Sequence, residues 1–169
     1  MGNHKDLFSE EAIAKVKDMA KDIKTCMFCT ELSVRPVPTR PMAVSEVDDN
    51  GNLWFISSAE SNKNFEIKHD NEVQLIFAEN SGAKYLSLLG EAVIYTDQSH
   101  VDDIWKPVAK AWFEEGKKDP NATVIKVIPK DAYYWDTKNG KMIAMLKMAA
   151  SAVTGKKADI GVEGKLNVE

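Results

Sequence analysis

Arg40 and the stretch Ser57-Ser58-Ala59-Glu60-Ser61-Asn62-Lys63 hold the residue types that bind phosphate. Arginine presents a planar fork of N–H donors that grips a phosphate through two parallel hydrogen bonds. A Ser/Asn-rich loop running from a strand into a helix start offers hydroxyls and backbone N–H groups, and here the ammonium of Lys63 as well. Each feature alone is ordinary, a surface ion pair or a capped loop. Topology is what joins them. Pro38–Ser57 reads as a β-hairpin around the turn Asp48-Asp-Asn-Gly51, whose Asn-Gly suits positive φ. In such a hairpin Arg40 lies on one strand while Ser61 and Lys63 follow its partner, so the two sets meet. Pro38 and Pro41 bracket Thr39-Arg40 and mark an edge strand or a place of close approach.

The four tryptophans are the next candidates. Trp105 fits an apolar helical stripe and reads as core, and Trp54 lies in a strand. Trp112 and Phe113 end that helix, and Trp135 ends a strand. Either Trp112 or Trp135 can wall an aromatic ligand, although packing is the commoner use of such residues. Cys26-Met-Phe-Cys29 is a C-x-x-C, but it supplies two ligands where a structural zinc uses four, and His4, His69 and His100 do not pair at ligand spacing. Its flanks read as a strand, on which residues three apart face opposite sides, so the sulfurs diverge. Buried structural cysteines are the favoured reading over redox or metal roles.

These side chains must be positioned by one domain, since 169 residues suit one and not two. At 44% hydrophobic and 28% charged, the chain can bury a core. The 22 basic residues comprise Arg35, Arg40 and 20 lysines, against 26 acids, for a net charge of -4. A mildly acidic chain with dispersed lysines is a poor nucleic-acid binder. No apolar run approaches the ~20 residues of a membrane span. The start, Met-Gly-Asn-His-Lys-Asp, has no apolar segment, so no signal peptide is expected. With only two cysteines, the expected compartment is the reducing cytoplasm.

Ser9-Glu-Glu opens a helix running to about Lys24, with Ser9 as cap and Ala12, Ile13, Val16, Ala20 and Ile23 at helical spacing. Thr25–Leu32, Pro38–Val47 and Leu53–Ser57 read as strands. Ser58–Asn71 holds a loop and a short helix. Glu72–Ala78 and Tyr85–Thr96 are strands, the second with Gly90 as a bulge candidate. Asp97 caps a helix whose Val101, Ile104, Trp105, Val108, Ala109 and Trp112 keep i, i+3, i+4 spacing, and Gly116 and Asp119-Pro120 end it. Thr123–Ile128 and Ala132–Asp136 are two strands split by Pro129. Met142–Val153 leans helical. Residues 1–8 and about 156–169 are expected to be flexible. Consecutive strands with hairpin turns predict an α+β, mainly β, antiparallel small barrel rather than an alternating β/α fold. Neither G-x-G-x-x-G nor G-x-x-x-x-G-K-[ST] occurs.

In order along the chain come P-T-R-P-M, L-W-F-I-S-S-x-x-S-x-K, Y-L-S-L-L-G-E-A, K-A-W-F and A-Y-Y-W-D. Together they resemble the FMN-binding split-barrel family of pyridoxamine-phosphate oxidases, and within it the small general stress protein 26 type. The resemblance runs from the first helix to about Gly155. It implies a six-stranded antiparallel split β-barrel with flanking helices, forming a homodimer with FMN at the subunit interface. Arg40, Ser61 and Lys63 match the family's phosphate-binding positions. Ile56 and Ser57 match the strand beside the flavin ring, which Pro41 and Met42 approach through their backbone. Trp135 matches a tryptophan contributed by the second subunit, and Trp112 belongs to the K-A-W-F signature. Tyr85 stands where the oxidases commonly have glutamine.

The chain departs from the oxidases elsewhere. Asn62 replaces the arginine of their Ser-Arg-Lys phosphate motif, and R-L-H-x-R is absent, since Thr-Lys-Asn-Gly-Lys-Met follows Trp135-Asp136. The resemblance thus implies an FMN-dependent oxidoreductase of unknown substrate, FAD also being admissible, with little pyridoxamine-phosphate oxidase activity. No residue is named as catalytic and no metal is expected. The competing readings are a non-catalytic flavin-binding or flavin-buffering stress protein, a split barrel for haem or a deazaflavin, and an OB-like binding barrel.

Overall fold

The computed structural model describes residues 3–137 and 161–168. The expected helix Met142–Val153 lies outside them. Strands β1 (Asn3–His4) and β2 (Leu7–Phe8) lead into helix α1 (Ser9–Ile23). Then come β3 (Thr25–Cys29), β4 (Thr39–Ala43), β5 (Glu46–Val47), β6 (Leu53–Ser58) and α2 (Asn62–His69). Strands β7 (Glu72–Glu79) and β8 (Lys84–Tyr95) follow, then α3 (Gln98–Ile104), a 3-10 segment (Pro107–Trp112), β9 (Ala122–Thr137) and β10 (Gly161–Asn167).

Helix α1 forms as its periodicity predicts. Glu10 and Glu11 sit at the positive end of its dipole, and Ala12, Val16, Met19 and Ala20 are buried along one face. Ser9, expected as the cap, is instead the first helical residue, with φ of 45°. Among the described residues, ten strands join one sheet: seven run in the order β1-β10-β9-β8-β7-β3-β4, while β2 pairs with β10, β6 with β9, and β5 with β6. Strand β9 is shared: β6 pairs with its first half, β10 with its second, and β8 runs beside both. The sheet splits there and curls around a core. Phe28, Phe55, Phe77, Leu88 and Tyr134 lie in that core, with Phe28 and Phe55 edge to face at 5.3 Å. The expected mainly β, α+β class is what the chain forms. Among the described residues, no helix is long and apolar enough to cross a membrane.

Three expectations are corrected. The hairpin Pro38–Ser57 is broken: β4 pairs with β3, and only the two-residue β5 pairs with β6. Pro41 has no N–H to give a second neighbour, so β4 is an edge strand paired on one side. The helix after Asp97 ends at Ile104, where Trp105 (ψ 133°) and Lys106 (ψ 142°) turn extended. The Pro107 ring disfavours helical backbone at the residue before it, a constraint that overrides the apolar periodicity. The two strands around Pro129 are one, β9, with Pro129 opposite Gly90 at a bulge. A Cβ on Gly90 would lie 2.6 Å from the Ile128 carbonyl oxygen, so only glycine fits the bulge. Residues 161–167 pair into the sheet. β10 is antiparallel to β9 and parallel to β1 and β2, which also anchors residues 3–8.

Strand alternation leaves an apolar outer face. Met27 stands opposite Ile76, Ile76 opposite Ser87, and Tyr85 opposite Trp135. Met27, Ile76, Tyr85 and Trp135 are all exposed.

Candidate functional site

Edge strand β4, the end of β6, α2 and the 3-10 segment enclose a cavity of about 360 Å³. Pro41–Ser45 forms one wall, and Ile56, Ser57 and Ser58 form the floor. Val108, Ala109, Trp112 and Phe113 form the opposite wall, with Lys63 and Lys106 as its cations. Phe113 is buried against Trp105 at 5.7 Å, which anchors the 3-10 segment, while the neighbouring Trp112 remains 73% exposed at the cavity. A larger concavity of about 620 Å³ lies beyond Val44, Ser45 and Lys106, between α1 and the turn 48–51. Its walls are mainly lysine and carboxylate side chains, which leaves little apolar surface for a ring.

The polar end is built by α2. Ser61 is the N-cap residue, yet its side chain does not cap. Ser57 Oγ donates to Asn64 Oδ1 at 2.7 Å and Ser61 Oγ donates to the same oxygen at 3.2 Å. Asn64 Nδ2 donates to Thr123 Oγ1 at 3.0 Å, and Thr123 Oγ1 donates to the Ser57 carbonyl at 2.9 Å. This buried network ties β6, α2 and β9 together, and it fixes where α2 begins.

Arg40 approaches α2 from β4. Its Nη1 donates to Thr30 Oγ1 and its Nη2 to Glu66 Oε2, each at 2.6 Å. Thr30 Oγ1 itself donates to Glu66 Oε2 at 2.5 Å, which closes a triangle. Lys63 shares this surroundings. Burial holds its ammonium below the usual lysine range, the Arg40 charge adds to that, and Glu66 opposes it. The arrangement offers an apolar slot whose lining carries two cations, Lys63 and Lys106, a combination that suits a flat ring carrying an anionic chain.

The family described as pyridoxamine 5'-phosphate oxidase like matches residues 11–159. The chain belongs to this family. The protein bli-3 of Neurospora crassa is 28% identical over 131 residues, 72% of this chain and 63% of that longer protein. A general stress FMN/FAD binding protein from Xanthomonas citri is 26% identical, with a TM-score of 0.66 over 78% of this chain and 92% of that one. A putative general stress protein 26 from Jannaschia sp. CCS1 shares the fold at 21% identity, with a TM-score of 0.78 over 93% of this chain and 98% of that one. The fold is therefore the split barrel that these general stress proteins share.

Within this pyridoxamine 5'-phosphate oxidase-like chain, Pro41, Met42, Ile56, Ser57, Lys63 and Trp112 line one cavity. Arg40 and Ser61 stand behind it on β4 and at the cap of α2. Tyr85 and Trp135 do not join them. They are cross-strand partners where β8 begins and β9 ends, on the exposed outer face. Thr30, Asn64, Glu66 and Phe113 are further residues that build the site. Glu66 lies three residues after Lys63 and so shares its helix face, a signal readable in advance. Asn64 likewise lies three residues after Ser61, whereas its bond to Thr123 and the bonds of Thr30 to Arg40 and Glu66 join segments that strand pairing brings together.

Proposed function

We propose that this protein binds FMN in the cavity between β4, α2 and the 3-10 segment, and that it is a flavin-dependent oxidoreductase rather than a pyridoxamine-phosphate oxidase. The carrying observation is the cavity itself: an apolar slot, with Met42, Ile56 and Trp112 in its walls and the cations Lys63 and Lys106 in its lining, with Arg40 acting on Lys63 from behind it. The residues fit a flavin phosphate, since Lys63 loses solvation without a ligand and an anion would restore charge complementarity. Bound flavin would supply the chemistry, accepting and passing on a hydride or electrons. This chain's residues would hold the phosphate, cover the ring and exclude water. FAD fits the same reading, and the X. citri relative is described as binding either flavin.

The working form is a homodimer. Met27, Ile76, Tyr85 and Trp135 make a contiguous apolar patch on the outer sheet face, the kind of surface that a second copy covers. In the dimer, Tyr85 and Trp135 would approach the partner's flavin, the role that their own chain's cavity does not give them. The test is titration of purified protein with FMN, followed by flavin fluorescence and absorbance. Saturable uptake at micromolar FMN is expected. Protein that ignores FMN at tens of micromolar overturns the proposal.

A further inference from the structure

Glu66 places a carboxylate beside Arg40 and Lys63, behind the cavity, where a phosphate would need positive charge. It accepts from both Arg40 Nη2 and Thr30 Oγ1, and its side chain and that of Arg40 are only 17% and 23% exposed. It also acts on Lys63, whose ammonium it favours against the effect of Arg40. Of the three cations in and behind the cavity, Arg40, Lys63 and Lys106, Glu66 offsets the one it pairs with, Arg40, which leaves a net charge of two positives. Two N–H groups of the Arg40 fork are already spent inside the protein, on Thr30 and Glu66.

We propose that Glu66 is a specificity-determining residue, whose charge lowers the site's preference for a phosphomonoester dianion over a phosphodiester monoanion. The ligand class is then a flavin whose phosphates carry one charge each, as in a dinucleotide, as readily as a monophosphate. The inference rests on the flavin reading above. The physical reason is Coulombic. A fixed carboxylate beside the anion site repels a charge of -2 about twice as strongly as a charge of -1. Orientation of Arg40 does not depend on Glu66 alone, because Thr30 Oγ1 and the Phe28 carbonyl also accept from Nη1.

The experiment compares E66Q and E66D with the unaltered chain, using FMN, FAD and riboflavin followed by flavin fluorescence. E66Q should tighten FMN by about three- to tenfold, tighten FAD by less, and leave riboflavin within about twofold. E66D keeps the charge and should therefore lack the FMN-selective tightening of E66Q relative to riboflavin. FMN binding that is unchanged or weaker in E66Q, relative to riboflavin, overturns the proposal and makes Glu66 a support for Arg40 only. E66A is the second neutral variant should E66Q not fold. Inorganic phosphate is a probe independent of the ring: it should raise the melting temperature of E66Q more than that of the unaltered protein. If no flavin binds at all, the flavin reading fails. The phosphate comparison still decides Glu66, since equal shifts in both proteins would refute its role.

Discussion

The Arg40 guanidinium donates to the Glu66 carboxylate at 2.6 Å, tying edge strand β4 to α2. Arg40 reaches this position because it stands opposite Phe28 in the β3–β4 ladder, and Thr30, just past Phe28, completes the triangle. The anion end of the cavity is thus built from three separate stretches of chain.

Arg40→Ala separates phosphate recognition from ring recognition. The lost contact is to an anion, so FMN should weaken by about tenfold while riboflavin stays within about twofold. The same change strands Glu66 with one partner fewer in a half-buried setting and should cost about 1–3 kcal/mol of stability. Parallel titrations and urea unfolding check both. Equal loss of FMN and riboflavin would remove Arg40 from the phosphate.

Ile76→Lys tests the outer sheet face. Ile76 is 43% exposed in the monomer, so a lysine there should cost the isolated fold little. Placed at the centre of an apolar interface it should split the dimer, and FMN affinity should fall with it. Sedimentation at several concentrations gives the mass. A variant with the mass of the unaltered protein would show that this face is not the interface.

The Cys26 thiol is pushed up from 9.0 to about 12, first by burial and then by the neighbouring Cys29. A folded-state value raised above the unfolded one contributes stability that is fully present below about pH 9 and is lost as pH rises towards 12. Cys26→Ala should therefore narrow the gap in urea midpoint between pH 8 and pH 10.5. Thiol reagents at pH 8 should modify Cys26 only as fast as the protein unfolds. Rapid modification of the folded protein would contradict the buried placement.

Gly90→Ala tests the bulge where β8 and β9 shift register. The new methyl would meet the Ile128 carbonyl at 2.6 Å and Val127 Cγ1 at 2.8 Å. Backbone must move to admit it, so a loss of about 2–4 kcal/mol is expected in chemical unfolding. A variant of unchanged stability would mean that the bulge relaxes freely.

Local chemistry was legible wherever one segment decides its own structure. Helix α1 follows its apolar stripe, and Asp97 caps α3 by accepting from the His100 N–H at 3.1 Å. The Asp48-Asp-Asn-Gly51 turn also forms, with Gly51 at φ of 81°. Three of the departures from expectation share one cause, which is proline. Pro41 sends β4 to one neighbour, Pro107 ends α3, and Pro129 sits inside β9 because the partner strand bulges at Gly90. The sequence pattern runs on through Pro41 and Pro107, where the missing N–H or the fixed φ decides the backbone, and breaks at Pro129, where the bulge accommodates the proline.

From the order of its motifs alone, the chain could be assigned to its family, and Arg40, Ser61 and Lys63 could be named as an anion-binding set. Side-chain chemistry and spacing determine that much, because they are properties of short segments. Which strand carries Arg40 to α2, that Glu66 and Thr30 hold it there, and that Tyr85 and Trp135 lie on the outer face were decided only by the tertiary structure. Those relations depend on strand pairing between residues far apart in the chain. Pairing is settled by the burial of the whole sheet, which no single segment encodes.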